Sequence, residues 1–242
     1  MRQASGRTGL HYKSDALDIV AAYSLADTHR AYDSPGFGYE YNGRDQLAEL
    51  NGRWAATPEI GLLFGASHEW DRYDGTFDAR QNAHQSSGHA LVDYTNGGLN
   101  LAAGARIEHH SRFGDAWTLG GNASLAIGGG WRLRASYGEG FKAPTLYQLF
   151  SFSGNLGLRP ERSQNYEAGI EKGDRNAALH FAATLFQRDS RDLIDYDPAA
   201  NGGFGGYSNV NRARAKGFEL EGDVRPVECL SLRAAYSYVE SV

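Results

Sequence analysis

Apolar and polar residues alternate at every second position through most of this chain. Leu99, Leu101, Ala103, Ala105 and Ile107 form one face, and Asn100, Ala102, Gly104, Arg106 and Glu108 form the other. Trp131, Leu133, Ala135 and Tyr137 oppose Arg132, Arg134, Ser136 and Gly138 in the same way. Phe218, Leu220, Gly222 and Val224 oppose Glu219, Glu221, Asp223 and Arg225, and Leu230, Leu232, Ala234, Tyr236 and Tyr238 oppose Ser231, Arg233, Ala235 and Ser237. Ile60, Leu62, Phe64, Ala66 and Trp70 oppose Gly61, Gly65, Ser67, Glu69 and Asp71, with Leu63 out of pattern. A period of two is the signature of β-strands. It predicts about eleven of them, near Leu17–Leu25, Asp45–Ala56, Ile60–Arg72, Ser87–Thr95, Leu99–Glu108, Ala116–Ile127, Trp131–Glu139, Ser163–Lys172, Ala177–Asp189, Gly206–Val224 and Leu230–Glu240.

The connections alternate as well. Short turns fall at Thr57–Glu59, Asn96–Gly98, Gly128–Gly130, Gly173–Asn176 and Arg225–Glu228. Long ones run over Ala26–Arg44, Tyr73–Ser86, His109–Asp115, Gly140–Arg162 and Ser190–Tyr207. No two of one kind are neighbours. Antiparallel membrane barrels sort their connections by rim in this way, with tight turns at one end and extended loops at the other. Most of the strands, at about 9–13 residues, also match a tilted membrane crossing; strands of globular proteins peak near 5–6. The expected fold is all-β, an antiparallel transmembrane β-barrel wound as an up-and-down meander. Leu101, Ala103, Leu133, Ala135, Phe181, Leu185, Leu220 and Leu232 should face lipid. Arg106, Arg132, Arg134, Glu167, Glu171, Glu219, Glu221 and Arg233 should face the lumen.

Composition sharpens this reading. The mean hydropathy of −0.52 is too polar for a helical membrane protein, and no run of about 18 apolar residues exists. A barrel strand needs apolar side chains only at alternate positions, so its mean stays low. Trp54, Trp70, Tyr94, Trp117, Trp131 and Tyr137 lie near strand ends, as girdle aromatics do. A net charge of −5 gives no basic footprint for nucleic acid. The single Cys229 excludes an internal disulfide. Met1–Lys13 hold no apolar stretch of a signal peptide, which an exported protein needs upstream. Bacterial single-chain barrels close with an even strand number, and an open edge in lipid leaves backbone groups unpaired. The expectation is therefore an incomplete barrel over residues 1–242, with no plug domain.

Other groupings carry little chemistry. Asp71, Asp74 and Asp78 surround Gly75 but lack the ligand order of a calcium loop. Asp189, Asp192, Asp195 and Asp197 read as a strand end blunted by charge. His84, His89, His109 and His110 show no ligand spacing, so no metal site and no cofactor is expected. Asn201–Tyr207 is glycine-rich but opens no helix, which excludes a phosphate loop. No acid–base–nucleophile set has local support, so no enzyme is expected.

The segment Ala135–Phe150, with Ser136-Tyr-Gly-Glu-Gly-Phe-Lys-Ala-Pro144 at its start, continues into Gly154-Asn155, Leu158-Arg-Pro-Glu-Arg-Ser163 and Tyr166-Glu-Ala-Gly169. Farther on come Arg191-Asp-Leu-Ile-Asp-Tyr196 and Tyr207–Glu221. These ordered motifs resemble the barrel of TonB-dependent outer-membrane transporters, and the run Asp192–Asp197 resembles the cobalamin transporters among them. The resemblance covers Leu17 to the end and implies about eleven strands of a larger plugged barrel. It implies active uptake across the bacterial outer membrane of a large, scarce ligand, a corrinoid first and a ferric siderophore or haem second. The partners it implies are outer-membrane lipid, the protein's own plug and, through a segment outside this sequence, the TonB inner-membrane complex. A plug-less passive porin or a surface-binding barrel is the alternative, decided by whether plug sequence lies upstream.

Under this reading the ligand meets the long loops. Phe141, Lys142, Tyr147, Phe150, Phe152, Asn155 and Arg159 of the loop Phe141–Arg162 are the first candidates. Tyr196, Phe204 and Tyr207 of the second loop are the next. Flat rings bind a large, partly apolar ligand with little entropy loss.

Overall fold

The computed structural model describes residues 1–173, 177–227 and 229–242. It is one antiparallel sheet whose strand order follows the chain, β1 to β12. The strands are β1 (Arg2–Lys13), β2 (Leu17–Ser34), β3 (Phe37–Ala55), β4 (Ile60–Gly75), β5 (Gln81–Asn96), β6 (Leu99–His110), β7 (Gly114–Gly128), β8 (Trp131–Lys142), β9 (Glu161–Lys172), β10 (Leu179–Asp197), β11 (Gly206–Val227) and β12 (Leu230–Ser241). Short α1 (Leu146–Phe150) and α2 (Ala200–Gly203) sit in the two longest connections. Since neighbours pair antiparallel in order, successive connections fall at opposite edges. The five short turns of the sequence lie on one rim and the five longer connections on the other. The turns at Gly173–Asn176 and Arg225–Glu228 lie partly outside the described residues.

The register fixes the two faces. Leu101, Ala123, Ala135, Ala168, Leu185, Phe218 and Tyr238 form one unbroken row across β6 to β12. Above and below it on the same face lie Leu119, Leu125, Leu133, Phe181, Leu220 and Leu232, all exposed. The opposite face runs through Asn100, Ser124, Arg134, Gly169, Thr184, Glu219 and Ser237. It is concave and lines a cavity of about 630 Å3 over β7–β11. No large side chain is completely buried among the described residues. A soluble sheet would bury the leucines of this face; here they stand open, with Leu185 at 64%. The arrangement suits lipid outside and a wet or filled lumen inside.

All four tryptophans lie on the apolar face. Trp54 and Trp131 mark its border toward the turn rim, and Trp70 and Trp117 mark its border toward the loop rim. Tyr137 and Tyr166, paired directly across β8 and β9, extend the second girdle. Between the girdles a strand such as β6 needs Leu99 to Ile107, about the length of a tilted crossing.

Two expectations change. A twelfth strand, β1, precedes the eleven. Its outward positions are Arg2, Ala4, Gly6, Thr8, Leu10 and Tyr12, too mixed for a period-two signal, and full pairing with β2 makes it a strand. Most of the long loops are also strand. β2 and β3 pair as far as Ser34 opposite Phe37, leaving two residues between them. Only Ser111–Phe113 separate β6 from β7. These strand tips rise beyond the apolar belt, where water contacts both faces. Alternation disappears there although the ladder continues.

Candidate functional site

The two longest connections at the loop rim, residues 143–160 and 198–205, are irregular and fold against each other. In the first, Thr145 caps α1: its hydroxyl accepts from the Gln148 amide at 3.2 Å, and the Gln148 side chain accepts from the Thr145 amide at 2.9 Å. This reciprocal pair satisfies two otherwise orphaned donors. α1 then presses Leu146 and Leu149 inward. Leu146 packs with Tyr73 and Ala83 on the concave wall, and Tyr41, Tyr147 and Phe150 close around that contact.

The outcome is a continuous aromatic array. Tyr147 meets Tyr41 at 5.4 Å, Tyr73 at 5.9 Å and Tyr207 at 6.2 Å between ring centres. Tyr207 meets Tyr196 at 5.3 Å, and Phe152 meets Phe204 edge-on at 6.1 Å. Tyr39 stacks on Phe77 at 6.2 Å, and its hydroxyl lies 3.1 Å from that of Tyr73. Tyr73 also donates a short hydrogen bond to Asp78. Burial pushes the Tyr39, Tyr73, Tyr147 and Tyr207 phenols above their ordinary range. Tyr39, Tyr41, Tyr73 and Phe77 were not among the sequence candidates. They fell in segments read as loop, and only the extension of β3 and β4 aims the tyrosines at α1.

Beneath the array is a vestibule of about 580 Å3, lined by Tyr41, Asp45, Glu69, Asp71, Tyr73 and Tyr147 among others. Asp45 stands directly opposite Asp71. The vestibule is thus aromatic above and acidic below.

The ten ligand candidates divide. Tyr147, Phe150, Phe152, Tyr196, Phe204 and Tyr207 gather around the two loops, with Phe152 and Phe204 exposed at the tips. Asn155 and Arg159 are consumed in joining the loops. The Asn155 amide donates to the Tyr207 carbonyl at 3.0 Å, Arg159 and Asn209 exchange backbone–side-chain bonds, and the Arg159 guanidinium pairs with Asp192 at 2.5 Å. Lys142 reaches Glu161 at 3.0 Å on the concave wall. Phe141 stands opposite Arg162 on the outer face, with that guanidinium 5.4 Å from its ring centre.

All eight lumen candidates share the concave face. Arg132 and Arg134 both reach Glu171, at 3.5 and 3.3 Å, so they pair within the wall. Arg106 binds Glu108 at 2.6 Å, and Arg233 binds Asp223 at 2.6 Å. Glu167 accepts from Ser136 at 3.3 Å, whereas Glu219 and Glu221 make no hydrogen bond or ion pair among the described residues.

Comparison with known proteins settles the ancestry. The family described as TonB dependent receptor-like, beta-barrel matches residues 2–242. This chain belongs to the TonB-dependent receptor β-barrel family. Members of this family reside in the bacterial outer membrane. The fold is similar to a ferric enterobactin receptor mutant from Pseudomonas aeruginosa solved with enterobactin (TM-score 0.84, 20% identity, 98% of this chain and 44% of that one). It is also similar to a siderophore receptor from Pseudomonas aeruginosa (0.74, 21%, 99% and 54%) and to an iron transporter from Neisseria meningitidis (0.74, 13%, 99% and 43%). The chain spans about half the length of these proteins.

Proposed function

We propose that this TonB-dependent receptor barrel is the wall of an active outer-membrane transporter that captures an iron chelate of the siderophore type at its loop rim. The observation that carries this reading is the vestibule. Tyrosines from β3, β4, α1 and β11 converge there over a cavity large enough for a substantial ligand. The similar folds are iron and siderophore transporters by name, which favours the same ligand class. A corrinoid loses its support. Its one motif, Asp192–Asp197, is occupied structurally: Asp192 holds Arg159, Asp195 accepts from the Tyr196 amide and Asp197 accepts from the Ala199 amide. In the complete receptor a plug fills the lumen beside Glu219 and Glu221, and the TonB complex energises release.

The test uses the full-length receptor. Tyr73→Ala with Tyr147→Ala should weaken binding of the transported ferric chelate at least tenfold, at an unchanged amount of folded barrel in the outer membrane. Unchanged affinity in that double variant would remove the vestibule from the binding site.

A further inference from the structure

The outer face carries a feature that ligand capture does not use. Arg191 in β10 stands directly opposite Arg162 of β9 on one side and Arg212 of β11 on the other. Three guanidinium groups therefore share one row, at cross-strand spacing. Like charges placed directly opposite destabilise a sheet, so the row is unfavourable without a counter-ion. The wall supplies little. Arg162 lies over the Phe141 ring, and Arg212 shares Asp189, at 3.4 Å, with Arg214 at 2.6 Å. Arg191, in the middle, has no hydrogen bond or ion pair among the described residues. Glu139, one row below, is taken by the Tyr137 hydroxyl at 2.6 Å and the Leu119 amide at 2.9 Å.

Depth gives the row its meaning. The outward residues of β10, read upward, are Phe181, Ala183, Leu185, Gln187, Asp189 and Arg191. Gln187 is level with Tyr166, Tyr137 and Lys216. The arginine row is two outward positions above that girdle, about 9 Å along the membrane normal for a tilted strand. Arg214 lies between the two levels. The cations thus climb from the girdle through the zone of lipid headgroups. On β5–β7 the corresponding outward residues are instead Asn82, His84, His109 and Asp115, the last two bound to each other at 2.6 Å; on β3 and β4 Arg44 also stands opposite Arg72, but Asp27 in the same row holds Arg44 at 2.5 Å.

We propose that Arg162, Arg191 and Arg212, with Arg214 below them, bind the phosphorylated headgroup of an outer-leaflet glycolipid. Guanidinium forks match phosphate oxygens in bidentate geometry, and the lipid's acyl chains would continue down the apolar belt over Leu185 and Phe218. The inference depends on the membrane orientation of the belt and is independent of which ligand the vestibule takes.

The full-length receptor, purified in uncharged detergent, is titrated with bisphosphorylated lipid A and with the same lipid stripped of phosphate, and bound lipid is counted by native mass spectrometry. The intact protein should bind the phosphorylated lipid at least tenfold more tightly. The R162Q/R191Q/R212Q variant should lose that preference, and the corresponding triple lysine variant should keep part of it. Arg191→Gln alone, which removes no contact within the wall, should weaken binding about threefold and serves if the triple variant does not assemble. Equal binding of the two lipids, or an undiminished preference in the glutamine variants, would overturn the proposal. Displacement of the lipid by millimolar inorganic phosphate would overturn it too, by showing a free-anion site.

Discussion

The vestibule phenols illustrate how single residues gain their properties from position. Tyr39, Tyr73, Tyr147 and Tyr207 have raised pKa values, with burial as the first cause in each. Their neutral forms are favoured when folded, so the stability they contribute is full below pH 10 and falls as pH rises above it. In an alkaline absorbance titration of the full-length receptor, exposed tyrosines should ionise before this group. Tyr73→Phe should remove one late proton without shifting the early ones. Gly205 is a second case. It has φ of +80°, and a Cβ there would collide with the Tyr196 hydroxyl. Gly205→Ala should cost about 1–2 kcal/mol of local order, seen as faster protease cleavage at residues 198–205 on intact cells, with the barrel still assembled. Equal cleavage rates would show that the loop does not depend on this packing.

At the scale of the strand, adjacent residues answer to different solvents. Leu101 belongs to the continuous outward row, whereas Arg106 faces inward and holds Glu108, which is only 7% exposed. Leu101→Arg places a charge in hydrocarbon, at a cost of about 2–4 kcal/mol near the midplane. Arg106→Gln keeps a donor beside Glu108. The first variant should sharply reduce heat-modifiable barrel in the outer membrane and the second should leave it nearly unchanged; similar losses would contradict the assigned faces. Strand tips beyond the belt obey neither rule. β2 above Leu25 carries Asp27 and His29 outward, where they meet Arg44 and Asn42 of β3, so hydrogen-bonded pairs replace lipid contact.

For the whole molecule, meander order fixes sidedness. Cys229 lies in the turn between β11 and β12 and is exposed. In the full-length receptor it should resist a membrane-impermeant maleimide on intact cells and react once the outer membrane is opened. A cysteine introduced at Ala199, in the opposite rim, should react in both conditions. The reverse pattern would invert the topology.

The period-two pattern alone determined the all-β class, the turns and the inward or outward direction of residues such as Leu185 and Glu219, because a strand in contact with two solvents must alternate. It could not reveal β1 or the upper halves of β2 and β3, since polar residues on both faces leave no periodic signal and only cross-strand hydrogen bonds define them. It pointed to the rings of Tyr147 and Tyr207, yet Tyr41 and Tyr73 come from strands more than 60 residues away in sequence, and register alone brings them together. Asn155 and Arg159 show the same limit. Their types suit ligand contact, but the fold places Tyr207, Asn209 and Asp192 within reach, and their hydrogen bonds go to joining the loops. Likewise Arg162, Arg191 and Arg212 are ordinary surface charges until pairing aligns them in one row above the girdle.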